Sequence, residues 1–277
     1  MTDLLSYWHL RERPFEATWD TRFYFHSQEH DEALNRLLFL AGEQSMNMGL
    51  LTGEIGCGKT LTRAVFSERL DPTRFVVVTQ ENSAFAFKDL LALVLRNLGR
   101  DSSGKSKLDR CEELRDIAEK IKSEGRHLVL IFDEAQEMSK PTLNELKLLT
   151  NLNGGGQNYL TIILLGQPEL RALVAQLPAI DQRISLRFHL KPLTADEALS
   201  YIQHRLRAAG HLDGELFEAA AAHRACEVAR GIPRELNRIA KLALEFAWVR
   251  ELPKVTEAAV ETIVRDLARH QNLAIAA

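Results

Sequence analysis

The stretch Leu50-Leu-Thr-Gly-Glu-Ile-Gly-Cys-Gly-Lys-Thr60 decides the fold of this chain. Residues 53–60 match the pattern G-x-x-x-x-G-K-[ST], directly after a predicted strand and directly before a predicted helix. Glycines in this pattern let the backbone curl so that successive N–H groups point at phosphate oxygens, and the helix N-terminus adds its dipole. The alternative is an ordinary glycine-rich turn between a strand and a helix. The order of strand, loop and helix favours a loop that binds the phosphates of a nucleotide.

Each residue of this phosphate loop has an expected role toward ATP and Mg²⁺. The Lys59 ammonium would neutralise the β- and γ-phosphates, and the Thr60 hydroxyl would ligate the metal. The other expected nucleotide contacts come from Gly53, Glu54, Ile55, Gly56, Cys57, Gly58 and Leu61. Cys57 is either a small filler residue or a thiol that reports on nucleotide or oxidation state.

A second motif, His127-Leu-Val-Leu-Ile-Phe-Asp133-Glu134, is an apolar strand that ends in two carboxylates. A strand of a parallel sheet delivers its C-terminal end to the edge at which the phosphate loop lies. Asp133 would there hold Mg²⁺ in the Walker B role, and Glu134 would act as the general base for the attacking water. The alternative is that the two acids cap the next helix. The second carboxylate predicts hydrolysis of ATP as well as binding.

Three polar residues further along the chain are candidates for contact with the γ-phosphate. Gln167 follows an apolar strand and is either a γ-phosphate sensor or a helix cap before Pro168. Arg183 is our candidate for an arginine finger offered to a neighbouring subunit, and the alternative is a surface salt bridge. Arg234 lies in the first turn of a predicted helix, from which it could reach the nucleotide.

A row of cations follows on that same helix. Arg234, Arg238 and Lys241 share one face, opposite the apolar face. Such a row is usually solvated. The alternative is contact with the phosphates of a nucleic acid.

Hydrophobic patterning predicts an α/β domain followed by a helical one. The predicted strands are 48–51, 75–79, 127–132, 159–165 and 184–188, and the helices between and before them are 27–42, 59–70, 86–98, 108–124 and 139–152. Strands that alternate with helices predict a parallel sheet covered on both faces. Four further helices are predicted at 194–209, 215–229, 233–247 and 256–270. We therefore expect an irregular N-terminal segment (1–26), an α/β nucleotide-binding domain (27–191) and a helical lid (192–277).

Composition narrows the class of protein. The formal charge of −3 and the isoelectric point near 6.3 give no overall basic field. Three cysteines without CxxC spacing suggest neither a disulfide framework nor a zinc site. The first residues lack the pattern of a signal peptide, and no apolar run has the length of a membrane span. We expect a soluble cytoplasmic protein without a membrane span.

With these motifs in place, the chain resembles the ExeA-like (general secretion pathway protein A, MshM-like) branch of the AAA+ ATPases, which are P-loop NTPases. The segments that carry the resemblance are Leu51-Thr-Gly-Glu-Ile-Gly-Cys-Gly-Lys-Thr60, Phe132-Asp-Glu-Ala-Gln136, Leu148-Leu-Thr-Asn-Leu152, Ile163-Leu-Leu-Gly-Gln-Pro-Glu-Leu170, Gln182-Arg-Ile184, Phe188-His-Leu190, Gly231-Ile-Pro-Arg234, Pro14-Phe15 and Ser27-Gln-Glu-His30. The resemblance implies an ATP-driven homo-oligomer, a ring or partial ring, in which Arg183 reaches the neighbouring subunit and Arg234 is the sensor 2 arginine. It also implies that the N-terminal segment lies by the adenine.

Three functions follow as hypotheses. The first is an ATP-hydrolysing assembly ATPase of a secretion or pilus machine, with protein partners and with cell-wall contact only through them. The second comes from a similar ATPase core, that of the TnsC/TniB transposition ATPases, and is an ATP-dependent DNA-binding regulator of transposition. The third is a nucleotide-binding switch or scaffold with little hydrolysis.

Overall fold

The computed structural model describes residues 3–154 and 156–275. Residues 1, 2, 155, 276 and 277 lie outside the described residues, so the ends of the predicted N-terminal segment and lid and one residue of the predicted 153–158 loop are not discussed. The strands are β1 (Met48–Gly53), β2 (Phe75–Gln80), β3 (His127–Phe132), β4 (Asn153–Gly154), β5 (Gln157–Asn158), β6 (Leu160–Gly166) and β7 (Ile184–Leu190). The helices are α1 (Leu4–Tyr7), α2 (Gln28–Gly42), α3 (Lys59–Arg69), α4 (Phe87–Asn97), α5 (Lys107–Ser123), α6 (Lys140–Glu145), α7 (Lys147–Thr150), α8 (Glu169–Ala175), α9 (Pro178–Asp181), α10 (Ala195–Ala208), α11 (Ala219–Val228), α12 (Pro233–Val249) and α13 (Glu257–Ile275).

Five strands form one parallel sheet in the order β2-β3-β6-β1-β7, which confirms the predicted fold class. Strands β1, β3 and β6 are buried along their whole length, as aliphatic runs covered by helices on both faces should be. Phe132 of β3 lies opposite Leu164 of β6, and Thr52 of β1 lies opposite Gly166 of β6. The register therefore brings the carboxyl ends of these three strands to nearly the same level.

Several helices differ from the sequence expectation. The predicted helix 139–152 is two short helices, α6 and α7, because the amides of Leu146 and Leu149 donate to carbonyls three residues back, which tightens the turns. Helix α11 begins later than predicted, since Phe217 instead forms a β-bridge with Val255. Helices α8 and α9 were not predicted.

The described chain divides into two compact units. We call residues 31–54 and 62–190 the sheet unit, and the chain up to residue 30, residues 55–61 and the chain from residue 191 the helical unit. The predicted boundaries at 26/27 and 191/192 stay predictions.

The N-terminal segment is more regular than predicted, because it packs into the core of the helical unit. It contains α1 and a short 3-10 helix, Thr21–Phe23. Trp8 and Phe15 are buried in the same core as α10–α13. The buried Arg205 of α10 donates from Nε to the Pro14 carbonyl at 2.7 Å and lies over the ring of Phe23. These contacts fix the segment on the helices that follow the sheet in sequence.

Among the described residues, no helix combines the length and apolar content that crossing a bilayer requires.

Candidate functional site

The phosphate loop has a backbone that only glycine allows at two positions. Gly56 and Gly58 have φ of +85° and +97°. A Cβ added at Gly56 would lie 2.5 Å from Cβ of Arg234, and one added at Gly58 would lie 2.8 Å from Nε2 of His30. Both glycines are therefore required by conformation and by close packing. The loop keeps the curled shape that directs backbone N–H groups toward an anion.

A histidine from the N-terminal side holds this loop. Nε2 of His30 lies 2.9 Å from the Cys57 carbonyl oxygen, and Nδ1 lies 2.7 Å from Oγ of Ser27. Because a carbonyl only accepts, Nε2 carries the proton in this arrangement. The hydroxyl of Tyr24 donates to the His30 backbone carbonyl at 2.8 Å, which ties the histidine to the N-terminal segment. Cys57 itself is fully buried, as expected of the filler residue.

Helix α12 begins against the phosphate loop. Its second residue, Arg234, donates a backbone N–H to the Gly56 carbonyl at 3.2 Å, and Pro233 occupies the first turn, where a missing N–H costs nothing. The residue predicted to be sensor 2 thus lies beside the loop. Its guanidinium is on an exposed residue, and its contact with a nucleotide stays a prediction.

An aromatic pocket adjoins Gly58. Its walls are the rings and apolar groups of Phe23, Tyr24, Phe25, His30, Leu61, Tyr201 and Pro233. Flat apolar rings next to a phosphate loop suit a purine base. The pocket includes Leu61, a predicted nucleotide contact, and it is built mainly from the N-terminal segment.

Lys59 and Thr60 form the first turn of α3, so both lie at a helix N-terminus. Lys59 is buried and Thr60 is half-buried. Gly53 ends β1, and the exposed Glu54 and Ile55 follow it. All predicted loop residues are thus consecutive between β1 and α3. The oxygen donors predicted for the metal, a hydroxyl and a carboxylate, are the ligand type that Mg²⁺ prefers.

Asp133 and Glu134 follow β3 at the carboxyl edge of the sheet unit. Glu134 has a φ of +49°, a left-handed conformation that a residue with a Cβ rarely adopts. Oδ1 of Asp133 accepts the Glu134 N–H at 3.0 Å, and the Ser83 hydroxyl donates to the Asp133 carbonyl at 2.6 Å. Glu134 makes no side-chain cap to the 3-10 helix Ala135–Glu137 that follows. This geometry disfavours the helix-cap alternative, and backbone strain of this kind is typical of functional sites.

Gln167 and Glu134 meet at the tips of β6 and β3. Nε2 of Gln167 lies 3.4 Å from Oε2 of Glu134, and Nε2 of Gln136 donates to the same oxygen at 2.6 Å. Oε1 of Gln136 accepts the Gln167 N–H at 3.0 Å. A Cβ at Gly166 would lie 2.6 Å from that same Oε1, so glycine is required there. Gln167 makes no side-chain cap to α8, and its side chain faces the predicted base instead.

Arg63 of α3 connects two acidic residues in the sheet unit. Its Nε lies 3.3 Å from Oδ2 of Asp133, and its Nη2 lies 3.2 Å from Oε1 of Glu81, which follows β2. The side chains of Arg63 and Asp133 are 8% and 5% exposed. An ion pair that is this well shielded from water is held by geometry as much as by charge.

Arg183 lies between α9 and β7, and its guanidinium contacts three oxygens. Nε donates to Oγ1 of Thr150 at 2.8 Å, Nη1 to the Ala179 carbonyl at 2.8 Å, and Nη2 lies 3.4 Å from Oδ1 of Asn151. None of these oxygens belongs to a carboxylate, so the contacts differ from the salt bridge that was the alternative. Arg187 has the expected surface ion pair instead, with Asp181 at 2.9 Å.

The cation row on α12 is partly paired. Lys241 lies 2.7 Å from Oε1 of Glu16, and Arg238 lies 3.4 Å from Oε2 of Glu235. Both pairs are exposed, as a solvated face would be.

Comparison with known proteins gives the family. Residues 43–174 match the AAA domain family. The chain is 32% identical over 250 residues to general secretion pathway protein A of Aeromonas hydrophila, a match that covers 89% of this chain and 45% of that protein. This chain belongs to the AAA+ P-loop family. It spans less than half the length of the secretion protein, which has its own name from that pathway.

Solved structures show the same AAA+ fold at low sequence identity. The ORC2 protein of Aeropyrum pernix, solved as ADPNP–ADP complexes, has a TM-score of 0.67 and 19% identity over 92% of this chain and 71% of its own. Cdc6p of Pyrobaculum aerophilum has a TM-score of 0.65 and 17% identity over 85% of this chain and 68% of its own. A Walker-type ATPase of Pyrococcus abyssi has a TM-score of 0.63 and 18% identity over 94% of this chain and 77% of its own.

Sequence reasoning missed three residues of this AAA+ site: His30, Arg63 and Gln136. His30 and Gln136 lie in segments that carried the family resemblance, but a segment match gives no contact partner. Arg63 lies four residues after Lys59, one helical turn along α3, and that spacing was the available signal.

Proposed function

We propose that this chain binds Mg·ATP and hydrolyses it. The observation that carries the proposal is the contact between Glu134 and Gln167, the predicted base and the predicted γ-phosphate sensor, at the tips of adjacent strands. A binding loop alone would serve a passive nucleotide switch. A second carboxylate, held by amides at the edge of the sheet, is what water activation requires.

The phosphate loop would bind the triphosphate through backbone N–H groups and the Lys59 ammonium, with the base in the aromatic pocket beside Gly58. Thr60 and Asp133 are the oxygen ligands that we propose for Mg²⁺. The metal, when bound, neutralises charge on the β- and γ-phosphates. Arg63 would keep the Asp133 carboxylate in one orientation, since it contacts Oδ2.

Glu134 would accept a proton from the attacking water as that water approaches the γ-phosphate. Its Oε2 already receives the Gln136 amide, so the side chain is oriented before nucleotide binds. The Gln167 amide would report the presence of the γ-phosphate to the same carboxylate. The left-handed backbone at Glu134 fixes the starting point of this side chain.

Glu134→Gln is the decisive test. We expect this variant to bind a fluorescent ATP analogue as the parent does and to lose turnover by about 100-fold or more, because the amide cannot take the proton. Turnover that is unchanged in the variant would refute the base assignment. Loss of binding as well would show that the carboxylate serves the loop rather than the water.

We further propose assembly into a ring or partial ring, with Arg183 of one subunit serving the nucleotide of the next. Similarity to general secretion pathway protein A over 89% of the chain supports an assembly ATPase of an envelope secretion or pilus machine that takes its ATP from the cytoplasm. Deletion of the gene, complemented by the parent and by Glu134→Gln, should stop and not restore secretion or piliation. Unimpaired secretion and piliation, together with ATP-dependent and salt-sensitive retention of duplex DNA, would favour the transposition hypothesis instead. The exposed pairs of Lys241 and Arg238 give DNA binding no separate support.

A further inference from the structure

The segment Leu148-Leu-Thr-Asn-Leu152 is part of the family resemblance, yet the nucleotide chemistry described above gives it no role. In the structure it ends α7 and places two polar side chains against Arg183. Thr150 is buried, with 4% of its surface exposed. A buried hydroxyl that lies 33 positions from its arginine partner in sequence is a tertiary feature of the sheet unit.

The direction of the Thr150 hydrogen bond is set by its neighbours. The Thr150 hydroxyl donates to the Lys147 carbonyl at 2.8 Å, so its proton is already used within α7. The oxygen lone pair is then left for the N–H on Nε of Arg183, at 2.8 Å. A valine at this position would keep the shape and lose the acceptor.

The three contacts orient the guanidinium as well as bind it. Of the five N–H groups of an arginine, three are engaged within the described residues: one each on Nε, Nη1 and Nη2. One N–H on each terminal nitrogen remains. These two N–H groups form the end-on fork that binds two phosphate oxygens together. The half-buried arginine is thus held by its inner edge while its outer end stays available.

We propose that Thr150 and Asn151 are positioning residues that aim the Arg183 guanidinium at the γ-phosphate of a neighbouring subunit. The proposal rests on the proposed function, in which Arg183 acts in trans. Thr150 contributes the stronger contact, with the shorter distance and the buried position, and Asn151 steadies the outer nitrogen at 3.4 Å. An arginine that lost these acceptors would sample many rotamers, and correct aim would be rare.

Subunit mixing separates the positioning from the chemistry. A Glu134→Gln subunit keeps its finger and lacks a base, whereas an Arg183→Ala subunit keeps its base and lacks a finger. Neither should turn over ATP alone, and mixing them should restore activity, because the site of the second receives the finger of the first. We expect a Thr150→Val/Glu134→Gln subunit to restore about tenfold less activity or lower, in line with the cost of a small misplacement. Thr150→Ser/Glu134→Gln should restore activity as Glu134→Gln does.

Two controls make the result decisive. Thr142→Val/Glu134→Gln alters another buried threonine, on α6, whose hydroxyl contacts the Phe85 carbonyl rather than Arg183, and should rescue fully. Melting temperature and analogue binding of each variant report on folding and on the nucleotide site. Equal rescue by the Thr150→Val and Thr150→Ser subunits would overturn the positioning role and leave the proposed function standing. Failure of Glu134→Gln itself to rescue Arg183→Ala would instead refute the finger in trans.

Discussion

The amide of Gln136 contacts both the predicted base and the backbone of the predicted sensor: Nε2 donates to Oε2 of Glu134 at 2.6 Å, and Oε1 accepts the Gln167 N–H at 3.0 Å. One side chain therefore joins the tips of β3 and β6. Because both ends of the amide are used, its orientation is fixed and the Glu134 carboxylate has little freedom to rotate.

Loss of this bridge should reduce turnover without reducing nucleotide binding. We expect Gln136→Ala to lower the rate of ATP hydrolysis by roughly tenfold to 100-fold, since the base would no longer be held in a productive orientation. Steady-state hydrolysis and analogue binding measure the two effects. Gln176→Ala, which removes an exposed glutamine bonded to Lys140, is the matched control and should behave as the parent. A fully active Gln136→Ala variant would exclude the bridge from catalysis.

Gly58→Ala should abolish nucleotide binding. The added Cβ would lie 2.8 Å from Nε2 of His30 at a φ of +97°, so either the loop or the histidine clamp must move. Gly104→Ala provides the control, since Gly104 also has a positive φ, +72°, but a Cβ there meets nothing within 4 Å. We expect the control to lose about 1 kcal/mol of stability and to keep its affinity for ATP analogues. Tight binding by Gly58→Ala would contradict the cradle geometry.

Breaking the buried pair of Arg63 and Asp133 should destabilise the fold. Arg63→Met leaves a shielded carboxylate without its guanidinium, and we expect the free energy of unfolding to fall by roughly 3 kcal/mol. Urea denaturation measures the change. Arg69→Met, at the exposed end of the same helix, should change it by at most ~0.5 kcal/mol. The double variant Arg63→Met/Asp133→Asn should recover much of the lost stability, and no recovery would mean that the loss came from packing.

His127 predicts a pH dependence of stability. Burial lowers the pKa of His127 to about 4 from its usual 6.5, and Nε2 lies 2.9 Å from Oγ1 of Thr161. The unfolded chain therefore binds a proton between these values and the folded chain does not. Stability is full above pH 6.5 and is lost as the pH falls toward 4, by about 2 kcal/mol between pH 7 and pH 5.

His127→Gln should remove that component of the pH dependence. Urea titrations at pH 7 and pH 5 would show it, with His223→Gln, an exposed histidine, as the control that keeps the parent's slope. A variant that lost stability on acidification as steeply as the parent would assign the effect to other groups.

Local pattern in the sequence determined the sheet and the binding loop. A glycine-rich turn between an aliphatic run and a helix start has few other solutions, and aliphatic runs such as His127–Phe132 need burial on both faces. The strands, the order of phosphate loop and acidic pair, and the AAA+ fold were therefore predicted, and the comparisons confirmed the family. The same reasoning missed α8 and α9, short helices whose ends lack strong sequence signals.

Only the tertiary structure decided which side chains meet. Gln136 and Gln167 are 31 positions apart, Thr150 and Arg183 are 33, and His30 and Cys57 are 27. Spacing along a chain encodes the faces of one helix or strand, whereas contacts between elements depend on the register and crossovers of the whole sheet. The sequence therefore specified the chemical groups of the site, and packing of the parallel strands and the N-terminal segment gave each group its partner.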